Sequence, residues 1–410
     1  MLKIGFYELK NNIWINILIC IQLVIVFVLA IATSSIIVYH YKYYNNFRDY
    51  FESDGYLYNL DSFYLNDNNL IATDSKDIEK LLSNADVVAS YEPVVNYYDN
   101  NGDRLEFVSM AYDREILDRH TPELSEGIWL NSISEDADYI EAVISQNNYN
   151  IKVGDTIFMN NIFYEYPEKL IKIKIVGVLE DNARIVGYTK NTYRNSRDYS
   201  DIYCDYSLDN EEIPMLIMSE ESIKCYHEQY EVEAFVKGWV FVTFSDNITE
   251  TQIIQNEKIL GNYAQIITKE DLEEIAIKSQ VRLREKLIAI FPIFIGVFVL
   301  TIISSLCSGA VSVKKQMKNY AIYSICGMPW QRSASISVIA TCILAIISFI
   351  ISIVCIFIIT TINKVTTINL GIVQLAVCVG VALIYCIISA LLPSLIINGT
   401  SIKEILRNNE

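Results

Sequence analysis

Histidine and proline are scarce in this chain of 410 residues, which has three of the first and seven of the second. Three imidazoles, and nine cysteines with no Cys-x-x-Cys pair among them, give no ligand set with the spacing of a metal site. There is no glycine-rich phosphate loop ending in Gly-Lys-Ser or Gly-Lys-Thr, so ATP is not held here by that device. No Ser/His/Asp arrangement and no pair of carboxylates in an apolar context points to an enzyme. Positive charge is also in short supply. With 32 Lys and Arg against 49 Asp and Glu, the formal net charge is -17, which argues against nucleic acid as a partner.

Hydrophobic residues make up 52% of the chain beside 20% charged ones, and the mean hydropathy is +0.26. That mixture reads as apolar blocks joined to a polar domain. About 20 helical residues cross a bilayer core, and four runs reach that length: Ile13–Tyr39, Leu287–Val313, Ala334–Thr361 and Leu370–Leu392, the last closed by Pro393. None carries a charge deep inside, so none signals an ion path or proton relay. Residues 1–40 carry Lys3 and Lys10 against Glu8, and residues 287–410 carry seven basic residues against two acidic ones. The acid therefore lies in residues 41–286, whose net charge is -23. Six cysteines sit in the apolar runs, where they act as small hydrophobes. Cys204 and Cys225 lie in the acidic middle and are candidates for a disulfide if that part faces an oxidising exterior.

The middle reads as a folded α+β domain. Val94–Tyr98 and Leu105–Met110 flank Asp99-Asn100-Asn101-Gly102-Asp103 as a hairpin, and Ala142–Ser145, Thr156–Met159 and Leu170–Leu179 read as strands. Residues 183–212, rich in Tyr, Asn, Asp and Arg, read as a solvated surface insertion and a place for ligand-specific variation. Phe235–Phe244, a helix near Thr249–Leu260, and Tyr263–Thr268 read as a β-α-β segment. No Gly or Pro falls between Gly5 and Gly55, or between Gly261 and Pro292. The first helix is thus expected to continue past the membrane, and the second to begin outside it, as a two-helix stalk. Pro292 marks a kink, and Ser304–Ala310 lets helices approach closely.

Between the second and third runs lies Lys314–Arg332, with Lys314, Lys315, Lys318 and Arg332 and no acid. Basic residues gather in cytoplasmic loops. Met317, Ala321, Ser324 and Ile325 are spaced as on a helix, and Gly327 with Pro329 stops it. This stretch, Asn319 to Met328 followed by Trp330-Gln331-Arg332, resembles the coupling loop of FtsX/MacB-type ABC transporter permeases, with Asn319 where that family has Glu and Ser324 where it has a basic residue. Four further stretches resemble the MacB-type core domain: Pro122–Trp129, Glu141–Ser145, Val153–Ile157 and Ile175–Val178. There Gly154-Asp155 is a turn and Gly177 permits close packing. The lead-in Met1–Asn12 and the ending Ser401–Arg407, with Ser401 where Pro is usual, also resemble the family.

The resemblance implies a fold, an α-helical membrane protein with four transmembrane helices and a large α+β extracellular domain inserted between helices 1 and 2. Its expected divisions are 1–48 (lead-in, first span and stalk), 49–268 (extracellular domain), 269–313 (stalk and second span), 314–332 (coupling helix), 333–392 (third and fourth spans) and 393–410 (cytoplasmic tail). It implies a non-catalytic permease subunit in a bacterial cell membrane, both termini cytoplasmic, that binds no cofactor and works with a separate ABC ATPase and a second permease, identical or related. Lys315, Tyr320, Ala321, Ile322, Ile325, Gly327 and Met328 would couple to that ATPase. The work implied is export or removal of a peptide or lipid-linked compound. The alternatives are activation of a cell-wall hydrolase, antimicrobial-peptide sensing, and a receptor without an ATPase.

Overall fold

The computed structural model describes residues 10, 13–61, 79–130, 138–187, 198–206, 213–232, 234–245, 247–329, 331–363, 368 and 370–400. The expected amphipathic lead-in (Lys10 apart), Trp330, most of the turn Asn363–Asn369 and the ending Ser401–Arg407 lie outside the described residues. The chain divides into two compact units: Met1–Lys42 with Leu283–Glu410, and Tyr43–Arg282.

Four helices are long and apolar enough to cross a membrane. They are α1 (Ile13–Tyr44), the 54-residue α6 (Leu272–Ile325), α7 (Gln331–Asn363) and α8 (Ile372–Gly399). A mixed α/β domain lies between the first and second. Helix α1 does not fray at His40; a 3-10 turn (Asn45–Phe47) and a short α2 (Arg48–Phe51) follow it directly. One expectation changes. Pro393 does not end the fourth helix but sits inside α8, because a membrane helix tolerates the lost backbone hydrogen bond where a neighbour packs on it. The neighbour is Gly309 of α6, where an added Cβ would stand 2.8 Å from Pro393 Cγ. The close approach expected at Ser304–Ala310 is thus made by its glycine. Beside it, Ser305 Oγ and the Tyr385 hydroxyl share a hydrogen bond of 2.9 Å.

The second unit is built on a sheet of twelve strands. They are β1 (Gly55–Asp61), β2 (Ala85–Pro93), β3 (Val95–Tyr98), β4 (Arg104–Leu105), β5 (Val108–Tyr112), β6 (Leu124–Gly127), β7 (Ile140–Ile144), β8 (Thr156–Asn161), β9 (Ile171–Leu179), β12 (Met215–Ser219), β13 (Ala234–Phe244) and β14 (Gln265–Asp271). Their order is β14-β1-β13-β2-β5-β12-β7-β9-β8-β3-β4, with β6 also paired to β9. The pairs β5/β12 and β7/β9 are parallel and the other pairs antiparallel. Since β13 and β14 both run antiparallel to β1, they are parallel to each other. The crossover between them is α5 (Glu250–Tyr263), started by a capping box at Thr249 and Gln252. The expected hairpin is present as Tyr97↔Leu105 and Tyr98↔Arg104. Its second arm breaks after two residues, and β5 leaves to pair elsewhere.

A short α3 (Arg114–Arg119) follows β5. Helices α4 (Glu220–Tyr230) and α5 cover one face, where Ala89, Tyr91, Ala111, Leu216, Val240 and Val242 meet Ile223 and Leu260. Side chains alternate across a strand, so Ser90, Met110, Tyr112 and Phe241 belong to the other face. Two things cover it. Phe47 stacks on Phe241 at 5.3 Å, and a second sheet, the hairpin β10 (Ala183–Val186) with β11 (Tyr203–Tyr206), lies over β2, β5 and β13. The Tyr112 hydroxyl donates to the Val186 carbonyl at 2.6 Å. At the bulge of β13, Gly238 lets the Gly187 carbonyl come within 2.3 Å of where a Cβ would be.

This overturns the reading of 183–212 as a solvated insertion. In its described part, Ile185, Val186, Tyr199, Ile202, Tyr203 and Tyr206 are buried. The physical reason is that a tyrosine ring buries well once its hydroxyl has a partner, so a tyrosine-rich stretch can line a core.

Candidate functional site

The basic stretch Lys314–Arg332 is not a helix of its own. Its first twelve residues are the last turns of α6, which runs from Leu272 to Ile325 without interruption, Pro292 included. Helical periodicity then sorts the side chains. Val313, Tyr320 and Ala321 are fully buried, and Met317, Tyr323 and Met328 pack with Val313, Tyr320, Ile336 and Ile397 in one apolar cluster. Lys314, Lys315, Lys318, Asn319, Ile322 and Ile325 face outward. Ile322 is 45% exposed and Ile325 67%.

The end of the helix is closed by its backbone. Met328 N–H donates to the Tyr323 carbonyl at 3.0 Å and Gly327 N–H to the Ser324 carbonyl at 3.1 Å. That pair of bonds is a Schellman closure, and Gly327 at φ +97° supplies the left-handed residue it requires. Met328 and Tyr323 add the hydrophobic contact that accompanies such closures. No basic residue stands in the last turn, so the final carbonyls rely on this closure. The result is a firmly ended helix that presents three lysines and two isoleucines outward. Of the residues named from sequence, Lys315, Ile322, Ile325 and Gly327 are accessible and Met328 is half-buried. Tyr320 and Ala321 are inside, where they can only position the others.

Cys204 lies on β11 and Cys225 on α4, and no disulfide joins them. Among the described residues no group of three or more His, Cys, Asp or Glu could hold a metal ion.

A second constellation escaped sequence reading. Within the Tyr43–Arg282 unit, the turn leading into β11 touches both helices that bound the unit. The Tyr203 hydroxyl donates to the Tyr43 carbonyl at 2.8 Å, and Tyr199 meets Tyr44 edge to face at 5.8 Å. On the other side, Tyr199 N–H donates to Ser279 Oγ at 2.9 Å and buried Asp198 pairs with Arg282. His120 joins in. Its Nε2 lies 2.7 Å from the Arg184 carbonyl, which can only accept, so Nε2 carries the proton and Nδ1 accepts from Asn46 Nδ2 at 3.2 Å. The partners are 64 to 160 residues apart in sequence, and no local spacing signals them.

No protein-family model matches the chain, and no curated protein sequence matches it. Solved structures with similarity include the periplasmic region of MacB from Actinobacillus actinomycetemcomitans, at 12% identity and a TM-score of 0.29, covering 58% of this chain and 96% of that one. Another is the extracellular domain of the noncanonic ABC-type transporter YknZ from Gram-positive bacteria, at 10% identity and a TM-score of 0.28, covering 53% of this chain and 98% of that one. The fold itself is four helices of membrane-spanning length and apolarity with a mixed α/β domain between the first and the second.

Proposed function

We propose that the chain is a permease subunit of an ABC transporter, driven by a separate ATPase that docks on the outward face of Lys314–Met328. The observation that carries this reading is the end of α6. Three lysines and two exposed isoleucines stand on a helix whose other face is packed and whose last carbonyls are closed, so a partner meets a preorganised surface. The positive charge supports a cytoplasmic position for that end by the positive-inside rule, with the acidic domain outside. ATP binds the partner and no cofactor binds this chain. Because α6 has no break between β14 and this face, a push on the face is carried along the helix, whereas a flexible linker would absorb it. Two permeases, identical or related, work together, and the work done outside is removal or export of a peptide or lipid-linked compound.

The test is affinity purification of the tagged chain in mild detergent, followed by identification of the proteins that come with it. We expect an ATPase that is lost when Ile322→Glu and Ile325→Glu are combined, with membrane insertion unchanged. Recovery of no ATPase, or of the same amount with the double variant, would refute the assignment.

A further inference from the structure

The loop from Ile162 to Leu170, between β8 and β9, displays apolar side chains to solvent. Phe163 is 83% exposed, Ile162 47% and Tyr166 42%. An apolar group is commonly shown this way by a floppy segment, but this loop is tied down. Buried Asn160 donates from Nδ2 to the carbonyls of Tyr164 at 3.1 Å and Glu168 at 3.4 Å. Buried Asn161 accepts from Phe163 N–H at 2.9 Å and donates to the Glu231 carbonyl. The Tyr166 ring packs on Tyr98 at 5.1 Å and closes over Gly102, where an added Cβ would be 2.7 Å from it. Lys169 is held by Glu231 at 3.5 Å and lies over the Tyr164 ring at 4.4 Å. Two buried amides are thus committed to a loop that exposes a phenylalanine. Such preorganisation lowers the cost of binding, and aromatic side chains are the usual anchors of interfaces.

Charge decides what would bind. Glu165 and Glu168 follow Phe163 on the same loop, both exposed, and neither forms an ion pair with a described residue. The touching turn adds Asp103, also exposed, offset by Arg104. The surrounding residues 41–286 carry a net charge of -23, a field that attracts cations and repels an anionic surface.

We propose that the β8–β9 loop is a docking surface for a basic polypeptide segment, one apolar side chain of which seats on Phe163 and Ile162 while its cations meet Glu165 and Glu168. This stands independently of the permease assignment. The test uses the full chain in nanodiscs of neutral phospholipid and three fluorescent peptides of equal length, made of Lys and Leu, of Lys and Ser, and of Glu and Leu. The Lys/Leu peptide is expected to bind, more weakly as salt rises, and Phe163→Ser to weaken it about tenfold, the scale of one interface anchor. The double variant Glu165→Gln, Glu168→Gln is expected to weaken it and flatten its salt dependence, and the Lys/Ser peptide to be indifferent to Phe163→Ser. Phe163 is exposed, so its variant keeps the wild-type melting temperature. Equal binding by wild type and Phe163→Ser, equal binding of the Glu/Leu peptide, or no binding would overturn the proposal. So would a dependence on Phe163 of self-association or of adhesion to anionic vesicles in place of peptide binding. ATPase recovery from the same preparations reports on the permease assignment separately.

Discussion

At Gly327 the chain turns left-handed in open space, with nothing within 4 Å of an added Cβ. Substitution there costs backbone energy alone. Gly327→Ala is expected to destabilise the helix end by about 1 kcal/mol, seen as faster hydrogen exchange at the amides of residues 327 and 328. Gly309 is the opposite case. It lies within a helix, where alanine is intrinsically favoured over glycine by about 1 kcal/mol, but its Cβ would stand 2.8 Å from Pro393. Overpacking of this kind costs about 1–3 kcal/mol, so Gly309→Ala lowers the melting temperature in detergent. Gly296→Ala, in the same helix with nothing within 4 Å, leaves it unchanged or raises it. Equal behaviour of the two variants would dismiss the α6–α8 contact.

At the scale of elements, the hairpin β10–β11 and the turn before it brace the domain. Asp198 is the centre of that brace, since its side chain both starts a 3-10 turn and pairs with Arg282. Arg282 is half exposed and stays solvated when its partner is lost. Asp198→Asn is therefore expected to cost about 1–2 kcal/mol, less than breaking a fully buried pair. The measurement is denaturant unfolding of the full chain followed by tyrosine fluorescence. How far this architecture could be read from sequence follows from periodicity. The four long helices were legible because their apolar runs exceed the membrane thickness. Strands β7, β8, β9 and β13 were legible because turn residues bound them. Strands β1, β2 and β12 were not, since they lie among other strands; in β12 every residue is buried, and a short apolar run without alternation is ambiguous between helix and strand. At the candidate site the stop at Gly327 was readable. The inward turn of Tyr320 and Ala321 was not, because it depends on Ile336 and Ile397, which belong to other helices.

The whole molecule should respond to pH from both ends. Burial, with the nearby Glu115 carboxylate, pushes the Tyr50 phenol up to about 12, and burial pushes Tyr206 up to about 12 as well. Tyr58, Tyr112 and Tyr203 are raised further, again chiefly by burial. A phenol whose folded-state value lies above its unfolded one favours the folded state fully below about pH 10, and that support is lost as pH rises beyond it. The phenolate absorbance of these buried tyrosines should therefore appear late and together with loss of circular dichroism. Smooth ionisation of all tyrosines near pH 10 would contradict the burial described. On the acid side, backbone N–H groups of the hairpin turn hold Asp99 below the usual carboxylate range, and Tyr164 with Lys169 does the same for Glu231. Their support is present above about pH 4 and is lost as pH falls below it. Asp99→Asn should make unfolding less sensitive to acid.

One consequence of the unbroken α6 is a matter of counting. Thr301, Ser305, Ser312, Gln316 and Tyr320 are buried, with Gly309 among them against Pro393, while Lys315, Lys318, Ile322 and Ile325 face out. Each residue turns the helix by about 100°, so the azimuth of the outward face is fixed by the number of residues between Gly309 and Gly327. A single alanine inserted after Ser312 would rotate the lysines and isoleucines away by that angle while leaving their identity and composition untouched. Seven inserted alanines would return them to within about 20° of phase. The helix end thus behaves as a vernier, on which a length change is read as a rotation.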